Sequence, residues 1–165
     1  MKKILSISVG SSSRDHTTRH TFLGQDCELS RQGTDGDFDK AVQRYLDMDG
    51  QVDAFGVGGV EFFLRVGQRR YYFRDVSRIR RAVKVSKIGD GNGVKGLLER
   101  RAFAALEKHL NEKEDRTLKG LPALLTTAVD RYGMGEAMVD AGLDLTIGDF
   151  MFTLGLPLPI KKLST

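Results

Sequence analysis

Apolar residues recur along this chain with two different spacings. A period of two, typical of half-buried strands, runs through residues 3–9, 17–23 and 27–31. A period near 3.6, typical of a helix with one buried face, covers residues 38–48. Asp37 stands where a helix N-cap is expected, and Gly50 follows the last apolar position. The first fifty residues therefore predict three strands followed by a helix.

The same alternation continues along the rest of the chain. Further strands are predicted over residues 52–57, 69–73, 83–88, 122–129 and 143–147. Further helices are predicted over residues 76–83, 94–110 and 135–141, with a short helix or turn over 60–66 and a charged loop over 111–120. This order predicts an α/β fold, with a mostly parallel sheet flanked by helices. The connection at Gly24-Gln25-Asp26 predicts an N-terminal β-hairpin.

Glycine or a carboxylate follows most of the predicted strands. The residues at these strand ends are Gly10, Gly58, Asp90, Asp130 and Asp149. Because ligands of open α/β sheets bind outside the carboxyl ends of the strands, we expect ligand-facing loops there. The predicted loops are residues 11–15, 56–59, 90–93 and 130–131.

Length, charge and cysteine content narrow the class of protein. We expect residues 1–150 to form one α/β domain, and residues 151–165 to form a C-terminal tail or the start of a second domain. Cys27 is the only cysteine, which excludes an internal disulfide and favours the cytoplasm. No apolar run reaches the roughly 18 residues of a membrane helix. The net charge of +4 favours a small anionic ligand and does not by itself predict a nucleic-acid partner.

A glycine-rich turn lies between the strand over 83–88 and the helix over 94–110. Gly91, Gly93 and Gly96 match the G-x-G-x-x-G spacing of dinucleotide-binding motifs, so we expect them to line a bound NAD or NADP. The alternative is a turn that only caps the following helix.

A serine-rich turn follows the first strand. Ser11, Ser12 and Ser13 precede Arg14 and Asp15, and the segment resembles the phosphate-1 hairpin of acetate-kinase-type proteins. The resemblance implies that the hydroxyl and main-chain N–H groups bind phosphate, with Arg14 adding a charge-assisted contact. The alternative is a polar hairpin turn. Asp130 and Arg131 follow a later strand and are further ligand-binding candidates.

Two other groups of residues, a histidine pair and a run of arginines, are considered as candidates for metal or partner binding. His16 and His20 are interpreted as surface histidines, and no metal site is predicted. Arginines recur from Arg65 to Arg81 around the aromatic run Tyr71-Tyr72-Phe73. This basic run predicts either a solvated helix face or a surface that binds a partner or single-stranded nucleic acid.

Asp90-Gly91-Asn92-Gly93 resembles the D-G-x-G element of shikimate and quinate dehydrogenases. More broadly, the chain resembles the N-terminal part of the bacterial quinate 5-dehydrogenase family. The segments that carry this resemblance are residues 8–16, 33–37, 52–56, 98–101, 148–150 and 154–157. The resemblance implies an enzyme that oxidises a hydroxyl of a cyclic polyhydroxy acid with NAD(P). Asp90 would orient that hydroxyl; the family's catalytic lysine segment is absent, so Lys87 or Lys95, the nearby lysines, would accept the proton.

Overall fold

A computed structural model describes residues 1–163 of the chain, which form two compact units. Unit 1 comprises Met1–Phe63 and Tyr72–Asn92, and unit 2 comprises Leu64–Tyr71 and the chain from Gly93 onward. A compact unit can be a lobe of one domain, so the single domain over residues 1–150 stays a prediction. Residues 164 and 165 of the predicted tail lie outside the described residues.

Unit 1 is built on a five-stranded sheet. Its strands are β1 (Lys2–Ser8), β2 (His16–Phe22), β3 (Gln25–Gly33), β4 (Ala54–Gly58) and β7 (Lys87–Gly89), in the spatial order β2-β3-β1-β4-β7. β3, β1, β4 and β7 run parallel, and β2 pairs antiparallel with β3. Leu23 and Gly24 both have positive φ, which suits a tight hairpin turn. The mostly parallel α/β sheet and the β2–β3 hairpin are therefore confirmed.

The two helices of unit 1 bury their apolar sides against one cluster of sheet residues. Helices α1 (Phe38–Met48) and α2 (Val76–Ala82) join Leu5, Ile7 and Phe55 in a single core. Tyr45 of α1 is fully buried, and its hydroxyl donates to the carbonyls of Ile7 (3.0 Å) and Gly56 (3.3 Å). Burial raises the pKa of the Tyr45 phenol, so it stays a donor. This side chain ties α1 to both β1 and β4.

Unit 2 contains a short parallel sheet. Its elements are α3 (Asn92–Glu114, whose first residue belongs to unit 1), β8 (Pro122–Leu125), α4 (Tyr132–Asp140), β9 (Asp144–Ile147) and α5 (Asp149–Leu154). β8 and β9 pair in parallel through the α4 crossover, and Ile160 forms an antiparallel bridge with Ile147. Leu125, Met138 and Ile147 lie in its core, against which Phe103 of α3 packs. A separate two-stranded sheet contains β5 (Phe63–Val66) and β6 (Arg69–Tyr72).

Several predicted boundaries are wrong. Residues 63–66 form strand β5 where a short helix or turn was expected, because a short apolar run fits either period. Helix α3 continues to Glu114 through the charged segment predicted as a loop. The strand expected over 122–129 ends at Leu125, and α4 begins three residues earlier than predicted, at Tyr132. A strand was expected over 83–88, whereas β7 spans only Lys87–Gly89.

The serine-rich turn does not close a hairpin between β1 and β2. β3 lies between these strands and pairs with both of them. The hairpin expected around Ser11–Ser13 is therefore wrong in its strand pairing. Within residues 1–163, no helix combines the length and apolar character that crossing a membrane requires.

Candidate functional site

The four parallel strands of unit 1 end at one edge of the sheet. These ends are Ser8 of β1, Gly33 of β3, Gly58 of β4 and Gly89 of β7. The chain passes from β1 to β3 on one side of β1 and then crosses to β4 on the other side, so a topological switch point lies between β1 and β4. Ligands of open α/β sheets bind at such points. We call residues 8–15, 33–36 and 58–59 the switch-point edge.

Hydrogen bonds fasten the first loop of this edge to the loop after β3. The amides of Thr34, Asp35 and Gly36 donate to the carbonyls of Ser8, Gly10 and Val9 at 2.9, 3.1 and 2.7 Å. These bonds continue the β1–β3 pairing beyond the last strand residues. The loops are thereby held by the backbone, which gives the edge a defined shape.

Close backbone contacts at the edge leave no room for side chains at two glycines. A Cβ on Gly33 would lie 2.5 Å from the carbonyl carbon and oxygen of Ser11. A Cβ on Gly58 would lie 2.8 Å from Cβ of Ser8. Non-bonded carbon atoms pack at about 3.5–4.0 Å, so a methyl group at either position requires the backbone to move. Glycine here permits the loops to approach each other.

Two guanidinium groups lie over Gly10. A Cβ on Gly10 would be 2.6 Å from Nη2 of Arg14 and 3.4 Å from Nη2 of Arg31. Nη1 of Arg31 donates to the Ser11 carbonyl (2.9 Å) and to Oδ1 of Asp15 (2.8 Å). No ion pair or side-chain hydrogen bond of Arg14 is formed within residues 1–163. Arg31 is therefore a structural cation, whereas Arg14 offers its charge to solvent.

Asp15, which the sequence analysis assigned to ligand binding, joins the end of β3. Its Oδ1 accepts the Gly33 amide at 2.6 Å as well as the Arg31 guanidinium. Its main chain closes the 3-10 turn Ser12–Arg14, since the Asp15 amide donates to the Ser12 carbonyl at 2.9 Å. This carboxylate shapes the loop that presents Arg14.

The serine turn satisfies much of its own hydrogen bonding. Ser11 Oγ accepts the Ser13 amide (3.2 Å) and lies 2.8 Å from Ser13 Oγ. The Ser12 amide donates to Oδ1 of Asp35 at 2.7 Å, and this bond, with a further one from the Ser12 side chain, lowers the pKa of Asp35. The Asp35 carboxylate thus takes the Ser12 amide that a bound phosphate would otherwise use. Phosphate binding by Ser11–Ser13 stays a prediction.

Asp90, the predicted catalytic carboxylate, organises the glycine-rich turn after β7. Its Oδ2 accepts the Phe62 amide at 2.9 Å, and its Oδ1 accepts the Asn92 amide at 3.1 Å. Nδ2 of Asn92 donates to the Phe63 carbonyl at 2.8 Å. Lys87 is exposed at the opposite end of the three-residue strand β7. The contacts to Phe62 and Phe63 fasten the turn to the start of β5, and the Asn92 amide closes the turn on itself.

The remaining predicted residues lie in unit 2. Lys95 Nζ donates to the carbonyl oxygen (2.6 Å) and Oδ1 (3.1 Å) of Asp130. Nη1 of Arg131 lies 3.3 Å from Oε1 of the buried Glu99. The structure therefore brings Lys95, Asp130 and Arg131 into ion pairs near the start of α4.

Gly96 takes part in helix packing. A Cβ on Gly133 of α4 would lie 3.6 Å from the Gly96 Cα and 3.0 Å from Oε2 of Glu99. The two glycines thus let α3 and α4 approach closely beside the buried carboxylate. Gly93 is exposed, and its added Cβ would meet nothing within 4 Å. A cofactor role for Gly91, Gly93 and Gly96 stays a prediction.

Four residues at notable polar positions were not among the predicted site residues: Arg31, Gly33, Asp35 and Glu99. Gly33 and Asp35 belong to the switch-point edge, and Arg31 bonds to it. β3 was predicted to end before Gly33, so its strand end was not included. Glu99 sits within a helix whose apolar positions gave no sign of a buried carboxylate. Only the glycine-rich segment 33–37 carried a signal that could have indicated this edge.

Histidine and acidic side chains do not converge on a metal position. In the part of the chain that the structure describes, no group of three or more His, Cys, Asp or Glu residues could hold a metal ion. His16 Nδ1 lies 2.9 Å from the Arg14 carbonyl oxygen, and His20 Nε2 lies 3.2 Å from Thr18 Oγ1. Both histidines are exposed, and their contacts are local.

Comparison with known proteins gives two matches, both to family models. Residues 3–90 match the family described as Domain of unknown function (DUF8753). Residues 93–165 match the family described as Domain of unknown function (DUF8754). The border between the matches coincides closely with the border between the units at Asn92 and Gly93. No curated protein and no solved structure matches the chain.

Proposed function

The chain belongs to the DUF8753 family, and we propose that it binds a small anionic ligand at the switch-point edge. The observation that carries this proposal is the guanidinium of Arg14, which lies over Gly10 without a partner among residues 1–163. A guanidinium forms strong charge-assisted hydrogen bonds with phosphate or carboxylate oxygens. The ligand class is therefore a compound with one of these two groups.

The shape of the edge supports the same ligand class. Gly33 packs on the main chain of Ser11 and Gly58 packs on Ser8, so the loop that presents Arg14 has a defined shape. Arg31 and Asp15 hold each other at 2.8 Å and neutralise each other, which leaves Arg14 as the uncompensated charge of this loop. Asp35 accepts the Ser12 amide, so this amide is already paired within the chain.

The finer proposal is oxidation of a hydroxyl of a cyclic polyhydroxy acid by NAD or NADP. It rests on the resemblance to quinate and shikimate dehydrogenases. A carboxylate has about four acceptor positions, so the two main-chain amides and the Asn92 side-chain amide bound to Asp90 leave it one position for a substrate hydroxyl. Lys87 or Lys95 would accept the proton, and the hydride would pass to the nicotinamide. The acid group of such a substrate is an anion of the class that Arg14 would bind.

A thermal-shift experiment with the purified chain tests binding. The ligands are phosphate, ATP, NAD, NADP, quinate and shikimate. A ligand at 100 times its Kd stabilises by about 2.7 kcal/mol. At roughly 2–4 °C per kcal/mol, we expect the Tm to rise by about 5–10 °C. Absence of a shift with all six ligands contradicts the proposal.

Matched arginine variants locate the site. We expect Arg14→Gln to remove the ligand-induced shift and to leave the Tm of the free protein unchanged, because no hydrogen bond or ion pair within residues 1–163 is lost. Arg101→Gln removes an exposed arginine of α3 and should retain the shift. Equal loss of the shift in both variants would indicate general charge attraction and contradict a site at Arg14.

Turnover is tested separately from binding. Formation of NADH or NADPH from quinate or shikimate is followed by absorbance, with Asp90→Asn as the variant. We expect this variant to lose turnover while ligand-induced stabilisation remains. Binding without any turnover by the wild-type protein rejects the oxidoreductase proposal and leaves a phosphate- or carboxylate-binding protein.

A further inference from the structure

The net charge of the chain is concentrated in one short segment. Residues 72–84, which span α2 and its flanks, contain five basic residues and one acidic residue. The other 152 residues contain 21 of each sign. The entire formal excess of +4 therefore comes from this segment. A cluster of positive charge of this kind favours binding of a polyanion. The modest net charge of the whole chain does not reveal this cluster.

The fold turns most of these cations toward solvent. Val76, Ile79 and Ala82 are buried in the core of unit 1, which directs Arg80 and Arg81 outward. Arg74, Arg80, Arg81 and Lys84 are all exposed. None of these four side chains forms an ion pair or hydrogen bond with another part of the described chain. Their charges are free to attract a partner.

Arg78 differs from the other four cations of the segment. Its Nη2 lies 2.6 Å from Oδ1 of Asp39, and its guanidinium lies 5.7 Å from the centre of the Phe38 ring. These contacts hold α2 against α1. We therefore assign Arg78 to the fold and separate it from the four unpaired cations.

Two exposed aromatic side chains immediately precede the unpaired cations in the chain. Tyr72 and Phe73 are 55% and 43% exposed, immediately before Arg74. The Tyr72 ring also contacts the ring of Phe63, with centroids 5.5 Å apart, which restricts its orientation. A solvated basic face does not require exposed aromatic rings, whereas a surface for unpaired bases uses them as stacking platforms.

We propose that Tyr72, Phe73, Arg74, Arg80, Arg81 and Lys84, together the basic surface, bind single-stranded nucleic acid. The cations pair with phosphates and the aromatic rings stack on bases. An acidic protein segment would satisfy the cations but has no bases to stack on the rings, so nucleic acid explains both features. Because cations that pair with phosphates and rings that stack on any base carry little sequence information, we expect binding with little sequence preference.

Salt dependence gives the expected size of the effect. Four phosphate contacts to a single strand give a slope of log K against log salt of about −2.8. Affinity should then fall about 50-fold between 50 mM and 200 mM salt. The measurement is fluorescence anisotropy of a labelled 20-nucleotide oligothymidylate with the full chain, compared with a 20-base-pair duplex and with polyglutamate.

Two variants separate charge from stacking. Arg80→Gln with Arg81→Gln should reduce the slope to about −1.4, because two phosphate contacts are lost. The control, Arg101→Gln with Lys113→Gln, removes the same charge from exposed positions of α3 and should leave the slope unchanged. Tyr72→Leu should weaken binding at least about fivefold without changing the slope, since stacking is insensitive to salt. Circular dichroism verifies that each variant is folded.

Several results would overturn the proposal. The first is no binding of the oligonucleotide at 50 mM salt. The second is an equal loss in the basic-surface variant and its charge-matched control. Binding of polyglutamate as tightly as the oligonucleotide, together with no effect of Tyr72→Leu, would assign the surface to an acidic protein partner. Tighter binding of the duplex would exclude a single-strand surface.

Discussion

Two groups of glycines in unit 1 differ in what surrounds them. At the switch-point edge, Gly33 and Gly58 are packed so closely that an added Cβ would lie 2.5 Å from Ser11 and 2.8 Å from Ser8. In the turn after β7, Cβ atoms added to Gly89, Gly91 or neighbouring Gly93 would meet nothing within 4 Å. The first group permits close contact between backbones, whereas the second leaves the backbone open to solvent.

The difference shows that glycine density is a poor measure of structural need. Residues 89–93 contain three glycines and overlap the stretch that matches a dinucleotide spacing, yet only Gly91 among them has a positive φ, of 76°. The glycines of the switch-point edge match no motif, yet their lack of a side chain permits the loops after three strands to pack together. The following predictions test this comparison, beginning with the largest expected effect.

Gly33→Ala should destabilise the protein strongly. The new methyl group meets the Ser11 main chain at 2.5 Å, so the loop before β2 must move, and overpacking of this kind costs about 3 kcal/mol. Urea denaturation measures the loss. Gly93→Ala is the matched control and should be neutral or stabilising by about 0.5 kcal/mol, because it lies in α3 with open space around it. Similar losses of unfolding free energy in both variants would contradict the distinction between the packed and the open glycines.

Asp90→Ala should cost about 2 kcal/mol of stability. The change leaves the amides of Phe62 and Asn92 without their acceptor, and half-buried donors are costly to leave unpaired. The control is Asp75→Ala, since Asp75 precedes α2 but forms no capping hydrogen bond. If the two variants have the same free energy of unfolding, Asp90 does not hold the turn. The turn after β7 would then lack structural contacts at Asp90 as well as at its glycines.

Asp35→Asn should have a smaller effect that depends on pH. Hydrogen bonds from the Ser12 amide and side chain lower the folded-state pKa of Asp35 below 3.8. The stabilisation is therefore present above the unfolded-state value and is lost as the pH falls through the folded-state pKa. We expect a Tm difference from wild type at about pH 6 that shrinks once the pH falls below 3.8.

A second aspartate provides the control for this measurement. Asp115 has a φ of 50°, close to the 54° of Asp35, and its side chain forms no hydrogen bond within residues 1–163. Asn is tolerated at positive φ as well as Asp is, so Asp115→Asn isolates the effect of backbone conformation. A Tm difference for Asp35→Asn that persists unchanged at low pH would show that the carboxylate charge does not hold the Ser12 loop.

Much of the fold follows from the sequence, and the reasons for the errors are local. Helix α1 was predicted with its observed bounds, 38–48, because Asp37 caps it and its apolar residues share one face. β5 was not predicted as a strand, because four residues carry too little periodicity to separate strand from turn. Helix α3 extends beyond its predicted end because charged residues are good helix formers and no glycine or proline stops it before Glu114.

The candidate site was less predictable than the fold. Gly10, Gly58 and Asp90 follow parallel strands of the unit 1 sheet, whereas Asp130 and Asp149 follow the strands of the separate β8–β9 sheet. The pattern of strand-end residues did not reveal that β3 lies between β1 and β2, and so it did not place Arg31 and Asp35 beside the serine turn. The roles of Asp90, Lys87 and Lys95 in catalysis stay predictions.

The sequence by itself determined the alternation of strands and helices, the open edge of carboxyl ends and the concentration of charge in residues 72–84. These features follow from periodicity and composition, which act over neighbouring residues. Only the tertiary structure decided which arginine at the edge is paired and which glycines are indispensable. Arg14 and Arg31 have the same chemistry, and they differ because β3 places Arg31 beside Asp15, whereas Arg14 has no partner among residues 1–163. Contacts between distant segments set that difference, and no local pattern encodes it.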